Sequence, residues 1–273
     1  MKWARTVGDV REVVASLPTG LVGFVPTMGA LHRGHTTIMD IARRECEVVV
    51  ASVFVNPTQF NDPADLAAYP RVETRDAELA EAAGVDVLFV PSVGVMYPDG
   101  FASSVSVLGS AHGYEGAHRP GHFDGVATVC LKLFSIVRAD RAYFGQKDAQ
   151  QVAVIRQVVR DFDLSLTIRV VPTIRDDDGL ALSSRNAQLS RDERSRALVI
   201  PRALARGLEA YRAGTDPAAA ARAELVQGGL EPEYAEVATF HGEPTLVIAA
   251  RVGATRLIDN VPLLDPQAAG LPA

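Results

Sequence analysis

The stretch GLVGFVPTMGALHRGH, residues 20–35, determines the predicted fold class and contains the first residues that indicate a function. Its first seven residues, GLVGFVP, are apolar and predict a short buried strand. The spacing of apolar residues then predicts a helix over 34–45, so a strand leads through a tight turn into a helix. His32 and His35 flank Gly34 at that helix start, and imidazoles at this spacing share one face of a helical turn. The arrangement indicates that the turn binds a ligand.

Strands and helices alternate along the following chain. Further strands are predicted at EVVVASVFV, VDVLFVP, RAYFG and LTIRVVPTI, which are residues 47–55, 85–91, 141–145 and 166–174. Apolar residues recur with helical spacing over 126–137 and 148–162, which predicts two amphipathic helices. Strands that are apolar on both faces and alternate with helices are typical of βαβ units in a parallel sheet. The predicted fold class is therefore α/β.

The pattern changes after Arg175. The segment RDDDGLALSSRN, residues 175–186, is polar and turn-rich and has neither helical nor strand periodicity. Ser190 followed by Glu193 is a capping box and begins a new helix. Two helices and then two short strands are predicted, over 190–214, from 217 onwards, over 233–240 and over 245–252. We therefore predict a boundary near residue 176, with a smaller α+β domain after it.

Composition excludes several classes of protein. The net charge of −6 and the pI near 5.5 argue against a nucleic-acid partner held by phosphate neutralisation. No run approaches the ~18 apolar residues of a membrane span. Charges interrupt the N-terminal MKWARTVGDVREVV, so no signal peptide is expected. Cys46 and Cys130 form no CxxC motif and are predicted to be buried, reduced thiols of a cytoplasmic protein.

The turn after the first strand suits a phosphate group. Gly29 and Gly34 let the backbone approach a ligand closely, and the helix start offers unpaired N–H groups and the positive end of a dipole. The pattern T-x-G-x-x-H-x-G-H is more specific than a glycine-rich loop alone. The alternative is that His32 and His35 only cap the helix or satisfy polar groups in the core. Gly34 is a poor choice inside a purely structural helix, which favours the ligand site.

An H-x-G-H motif at a first strand–helix turn resembles the nucleotidyltransferase superfamily, whose members act at the α-phosphate of ATP and expel pyrophosphate. Further stretches follow in order: FVNPTQF, DLAAYPR, MYPDG, GAHRPGHFDGVATVCLKLF, YFGQKDAQQ and DGLALSSRN. The series resembles the pantothenate synthetase family, the pantoate–β-alanine ligases, over about residues 20–186. The resemblance implies a Rossmann-like domain over 1–175, with helices on both faces of its sheet, that binds ATP and pantoate. It also implies a C-terminal lid over 176–273 and a homodimer.

The resemblance assigns roles to individual residues. The positions that match the family's ATP site are Met28, Gly29, Ala30, Leu31, His32, Arg33, Gly34, His35, Gly145, Gln146, Lys147, Asp148, Ile174, Leu182, Ser183, Ser184 and Arg185. Among these, His35, His32 and Lys147 match catalytic positions. Gln59 and Gln151 match the residues that bind pantoate, and Asn56 lies beside that pocket.

The implied reaction is an ATP-dependent ligation. The pantoate carboxylate attacks the α-phosphorus of ATP and gives pantoyl adenylate and pyrophosphate. The amine of β-alanine then attacks the acyl carbon and gives pantothenate and AMP. Magnesium accompanies ATP between the phosphates, and the protein itself is expected to provide no metal site.

Other interpretations remain open from the residues alone. The chain could be a different H-x-G-H adenylyltransferase that makes a dinucleotide-type product, or a non-catalytic nucleotide-binding module. A tRNA synthetase fragment is disfavoured by the acidic pI. Without the family, Gln59 and Gln151 could be surface amides, Lys147 an exposed lysine and residues 183–185 a solvated loop.

Two acidic features favour structural interpretations. Asp176-Asp177-Asp178-Gly179 lacks the alternating spacing and later glutamate of an EF-hand and predicts a solvated turn. Asp76 could approach magnesium, but the face of a charged helix explains it more simply. His118 and His122 precede the 126–137 helix and could line the rim of the site, and no zinc-like histidine spacing is present.

Overall fold

A six-stranded sheet organises the first part of the chain. The structure is a computed structural model that describes residues 1–265, 267 and 271. Six strands form the sheet, namely β1 (Lys2–Ala4), β2 (Val22–Thr27), β3 (Val48–Val53), β4 (Val87–Phe89), β5 (Arg141–Gly145) and β6 (Thr167–Val171). Their spatial order is β1-β4-β3-β2-β5-β6. The pairs of β1 with β4, β4 with β3, β3 with β2 and β2 with β5 are all parallel.

Helices connect the strands of this sheet. They are α1 (Val7–Ala15), α2 (Arg33–Glu45), α3 (Pro63–Ala68), α4 (Glu73–Ala82), α5 (Val93–Met96), α6 (Tyr114–His118), α7 (His122–Val137) and α8 (Ala149–Asp161). Val48 and Val50 of β3 belong to a core that includes side chains of α1, α7 and α8. The residue between Val48 and Val50 points to the opposite face of the sheet. Helices α2 and α4 also contact β3. The α/β prediction with a parallel sheet is confirmed.

A second sheet lies in the C-terminal part of the chain. Helices α9 (Arg191–Ala197), α10 (Val199–Arg212) and α11 (Pro217–Gln227) precede strands β7 (Pro232–Phe240), β8 (Glu243–Val252) and β9 (Thr255–Pro262). The three strands form an antiparallel sheet in the order β7-β8-β9. Leu204, Leu225, Leu246 and Ile248 are fully buried in its core. The α+β prediction for this part is confirmed.

The chain separates into two units. The first comprises Met1–Phe144 and Gln150–Val170, and the second comprises Gly145–Ala149 with the residues from Val171 onwards. The short segment between β5 and α8 therefore belongs to the second unit. The assignment of ATP and pantoate binding to residues 1–175, and of a lid to 176–273, stays a prediction.

Some elements differ from the sequence prediction. The helix expected over 190–214 is two helices, because Pro201 has no N–H and its ring would clash with the carbonyl four residues earlier. Strand β9 was not predicted, since its sequence TRLIDNVP mixes charged and amide residues with apolar ones. The three-residue β1 and the helix α1 were also missed.

The two cysteines behave as expected of structural thiols. Cys46 and Cys130 are free and buried. Burial raises the pKa of Cys130 to about 12, so its thiol is protonated and unreactive at neutral pH. Among the residues that the structure describes, no helix is long and apolar enough to span a bilayer.

Candidate active site

The start of α2 is built by its two histidines. His32 is the N-cap residue, and its Nδ1 accepts the backbone N–H of Gly34 at 3.1 Å. Nδ1 of His35 accepts the backbone N–H of His32 at 3.4 Å, which completes a reciprocal capping box. The capping role that the sequence left open as an alternative is therefore present.

Capping fixes the protonation pattern of both rings. A nitrogen that accepts a backbone N–H carries no proton, so neutral His32 and His35 each carry their proton on Nε2. The ring centroids lie 4.1 Å apart, with an interplanar angle of 42°. The two rings, whose neutral forms each carry an Nε2–H donor, thus pack against each other at the positive end of a helix. Helix capping and ligand binding by these histidines are compatible, because capping uses Nδ1 and leaves Nε2 for the second role.

Asp76 of α4 holds the turn that precedes these histidines. Its two carboxylate oxygens accept the backbone N–H groups of Ala30 at 2.9 Å and Leu31 at 2.7 Å. Gly29 has a φ of 82°, and a Cβ on it would lie 2.8 Å from Asp76 Oδ2. The aspartate is 1% exposed, so its interpretation as part of a charged helix face was wrong. Sequence periodicity gave no signal for this role.

An amide network follows β3. Asn56 is 1% exposed, and its Nδ2 donates to Gln59 Oε1 at 3.0 Å. Tyr97 donates its hydroxyl to Asn56 Oδ1 at 2.8 Å, and burial raises the pKa of Tyr97, which keeps this donor protonated. Gln59 Nε2 donates to Met28 Sδ at 3.1 Å. The structure therefore brings Asn56 and Gln59 together with the turn before α2.

The backbone of Gln59 is fixed by α7 and the loop before it. His122 Nδ1 contacts Gln59 O at 2.8 Å and must be the donor, because a carbonyl only accepts. Arg119 contacts His122 Nε2 at 3.1 Å, which suits the neutral ring with Nδ1 protonated. A Cβ on Gly125 would lie 2.4 Å from Thr58 O, so only glycine admits this close approach. His122 is buried and holds the Gln59 carbonyl by a hydrogen bond, whereas the sequence analysis allowed it to line the rim of the site.

The two adjacent glutamines of α8 have opposite roles. Gln150 is 5% exposed, accepts the Glu115 N–H and donates to the carbonyls of Ser110, His112 and Gly113. Gln151 is half-buried, and within the described part of the chain its side chain makes no hydrogen bond. Gln150 therefore anchors a loop, while the amide of Gln151 is available to a ligand.

The segment Gly145–Asp148, in the second unit, forms a tight turn. Residues Gln146–Asp148 are a 3₁₀ turn directly after β5. The Lys147 side chain is 16% exposed and its Nζ lies 3.7 Å from Asp148 Oδ1, whose side chain is 48% exposed. At that distance the lysine is only loosely paired, so its ammonium can serve an anion. Lys147 is not the fully exposed lysine of the alternative interpretation.

The other predicted ATP residues of the second unit lie on one hairpin-like segment. The Leu182 N–H donates to Ile174 O at 2.9 Å, and Arg175 and Ala181 form an isolated bridge. Ser183 Oγ then accepts the Arg185 N–H at 3.3 Å and caps the 3₁₀ turn Ser184–Gln188. Ile174, Leu182 and residues 183–185 are thus brought together by the backbone.

The acidic turn within this segment is not simply solvated. Arg194 donates to Asp176 Oδ2 at 2.8 Å and to Asp178 Oδ2 at 2.7 Å. These bonds raise the pKa of Arg194 and keep it charged. Asp177 and Asp178 are exposed, as the prediction of a solvated turn requires, and the turn is in addition ion-paired to Arg194. Across residues 1–265, 267 and 271, no group of three or more His, Cys, Asp or Glu side chains could hold a metal ion.

Fold and side chains define a class of protein. A parallel α/β sheet in which a strand leads through a glycine turn into a helix start that is capped by two histidines is typical of enzymes that bind nucleotide phosphates. The family model for pantoate–β-alanine ligase matches residues 2–262. The chain belongs to the pantoate–β-alanine ligase family. It is a ligase of pantothenate biosynthesis, as the resemblance implied.

Relatives and solved structures agree with the family model. Pantothenate synthetase of Rhizorhabdus wittichii is 51% identical over 277 residues, covering 96% of this chain and 98% of the relative. The crystal structure of pantothenate synthetase from Thermus thermophilus has a TM-score of 0.90 and 44% identity, covering 96% and 99% of the two chains. The Francisella tularensis pantoate-β-alanine ligase, complexed with β-γ ATP and β-alanine, has a TM-score of 0.83 and 36% identity, covering 97% and 98%.

Proposed function

We propose that this chain joins pantoate to β-alanine in two steps, with ATP as co-substrate. Attack of the pantoate carboxylate on the α-phosphorus forms the pantoyl adenylate and releases pyrophosphate. Attack of the β-alanine amine on the acyl carbon then releases AMP. The crystallised Francisella tularensis relative is complexed with β-γ ATP and β-alanine, which supports ATP and β-alanine as substrates here.

The capping geometry of the two histidines, in which Nδ1 of each ring accepts a backbone N–H, is the observation that carries this proposal. The reaction places negative charge on the α-phosphoryl oxygens and on the departing pyrophosphate. Nε2–H of His35 and of His32 are donors whose orientation is set before ATP binds, because Nδ1 of each ring is held by a backbone N–H. Preorganised donors of this kind lower the barrier without reorganising during the reaction.

The second set of ATP residues supplies charge and contacts. We propose that Lys147 meets phosphate oxygens, that Asp148 binds the ribose and that Gly145 and Gln146 contact the adenine. Residues 182–185 close on the phosphates through two hydroxyls and the Arg185 guanidinium, groups suited to phosphate oxygens. The backbone of Ile174 completes the adenine site.

Pantoate is bound by amides in this proposal. Gln59 and Gln151 can each donate and accept, which suits a substrate with two hydroxyls and a carboxylate. Asn56 positions Gln59 through the 3.0 Å hydrogen bond between their side chains. Mg²⁺ enters with ATP, since it is usually held by substrate phosphates and water, and it neutralises phosphate charge. We further propose a homodimer located in the cytoplasm.

Pyrophosphate exchange tests the order of the two steps. With ATP, Mg²⁺, labelled pyrophosphate and pantoate alone, we expect label to enter ATP, because the adenylate forms before the amine is needed. β-Alanine alone should give no exchange. Exchange that requires both acids would contradict the adenylate route.

With all substrates, pantothenate and AMP are the expected products. A dinucleotide product would indicate another adenylyltransferase, and ATP binding without turnover a non-catalytic module.

Variants of the two glutamines test the pantoate site. We expect Gln151→Ala to raise the KM for pantoate roughly three- to a hundredfold, since one or two hydrogen bonds are lost. Its Tm should stay unchanged, because no intramolecular hydrogen bond is removed within the described chain. Gln59→Ala should raise the same KM and also lower Tm, because Asn56 and Met28 lose a partner.

A control lies on the same helix. Among the residues that the structure describes, Gln157 of α8 pairs with its surface neighbours Asp161 and Arg160, so Gln157→Ala should leave pantoate kinetics unchanged. The Kd for ATP, measured by calorimetry, should change little in all three variants. A parallel loss of ATP affinity in Gln151→Ala would contradict the assignment of this side chain to pantoate.

A further inference from the structure

We propose that Asp259 and Asn260, adjacent residues of β9, are positioning residues for the nucleotide. Asn260 fixes the Gln146–Lys147 turn, and Asp259 fixes the segment from Ile174 to Leu182. The inference rests on the proposed assignment of those two segments to ATP. Neither β9 residue is itself expected to touch a substrate.

Both polar atoms of the Asn260 side chain form hydrogen bonds with the Gln146–Lys147 turn. Its Nδ2 donates to Gln146 O at 3.0 Å and to Lys147 O at 2.9 Å. Its Oδ1 accepts Nε2 of Gln146 at 3.0 Å. The residue is 2% exposed, so these bonds form away from solvent. Only an amide can donate two protons and accept a third bond here. The Gln146–Lys147 peptide, and with it the starting point of the lysine side chain, is therefore held by one residue of β9.

Asp259 holds the second segment through a buried ion pair. Its Oδ2 and Oδ1 accept hydrogen bonds from Nη1 and Nη2 of Arg175 at 2.7 and 3.0 Å. The two side chains are 3% and 4% exposed. Nη1 of Arg175 also donates to Gly179 O at 3.0 Å, within the turn that joins Ile174 to Leu182. A planar, bidentate fork fixes orientation as well as distance. The guanidinium thus ties the base of the hairpin-like segment to β9.

The two anchors are adjacent and connected. Asp259 Oδ1 also accepts the backbone N–H of Asn260 at 2.8 Å. Neighbouring side chains of a strand point to opposite faces, so one strand can reach two separate segments. A buried ion pair adds little stability over apolar residues of similar size, which makes a geometric role the better explanation for this one. A displacement of β9 would therefore move both segments together.

ATP affinity in variants of Asn260 tests the first anchor. We expect Asn260→Ala to raise the Kd of a non-hydrolysable ATP analogue with Mg²⁺ by about tenfold, because the turn must be ordered by the ligand itself. The KM for pantoate should stay within about twofold, since both pantoate residues lie elsewhere in the chain. Asn260→Asp should be at least as severe, because it replaces two N–H donors by a carboxylate oxygen beside two carbonyls.

A neighbouring core variant separates positioning from stability. Val261 is fully buried, and Val261→Ala destabilises the same strand without removing either anchor. It should lower Tm and leave the Kd of the analogue unchanged. An equal rise in Kd for Val261→Ala and Asn260→Ala would overturn the proposal, because strand stability would then explain both. If Asn260→Ala does not fold, Asn260→Ser, which keeps one donor, provides the same comparison.

A double variant tests the second anchor. Arg175→Met with Asp259→Leu removes both charges at once, so no buried charge is left unpaired and the protein should fold. We expect the Kd of the analogue to rise by about five- to tenfold, with Tm modestly lowered because the Asn260 N–H and the Gly179 carbonyl each lose a side-chain partner. Unchanged Kd in this variant and in Asn260→Ala would overturn the proposal. The readout is nucleotide binding, so it is independent of whether wild-type protein makes pantothenate, and the two failures are distinguishable.

Discussion

Replacing His35 by alanine is expected to lower the rate of pantoyl adenylate formation by about a hundred- to a thousandfold. Negative charge increases on the α-phosphoryl oxygens and the leaving pyrophosphate during this step, and the Nε2–H of His35 is oriented to meet it. ATP in the ground state is already solvated by Mg²⁺ and water, so the Kd for ATP should change much less. Single-turnover formation of the adenylate measures the effect.

The capping role of His35 calls for a second variant. His35→Gln keeps a capping-box acceptor at the third helical position. If His35 acts only as a cap, His35→Gln should restore most of the rate that alanine loses. We expect it to restore Tm and to leave the rate at least about thirtyfold low, because the amide cannot reproduce the placement of Nε2–H. Recovery of the rate together with Tm would contradict the donor role.

The sequence predicted those features that depend on local pattern. Apolar strands such as residues 47–55 and the striped helix over 126–137 have periodicities that report burial directly. The H-x-G-H turn could be recognised because glycines and histidines at fixed spacing leave few structural explanations. By contrast, β9 and the division at Pro201 were missed, since mixed polarity and a proline near a helix start are ambiguous without tertiary context.

The residues that support the site could not be found by pattern. Asp76 is 45 and 46 positions away from the turn whose N–H groups it accepts, and Asn260 is 113 and 114 positions away from the carbonyls it binds. Each looks like an ordinary surface residue until the fold brings its partners close. The adjacent Gln150 and Gln151 differ for the same reason, because only the three-dimensional surroundings decide which amide is used internally.

Lys147→Ala is expected to reduce adenylate formation by a similar factor, about a hundred- to a thousandfold. The ammonium is a compact charge on a flexible stem, and it lies 3.7 Å from Oδ1 of Asp148. Such a loose pair leaves the charge available to phosphate oxygens, whose charge grows during attack by pantoate. The K147A protein should fold normally, since the exposed Asp148 side chain can be solvated in place of the pair.

Three further measurements sharpen the Lys147 prediction. Lys147→Arg keeps the charge with a different shape and should recover part of the rate. Lys132→Ala removes the same charge from α7, where the ammonium lies 4.5 Å from the Phe101 ring centroid, and should leave adenylation unchanged. Preformed pantoyl adenylate should react with β-alanine at nearly the normal rate in K147A, because the acyl step develops its charge on another atom. A defect confined to that second step, or a fall in ATP affinity in proportion to rate, would remove Lys147 from the transition-state role.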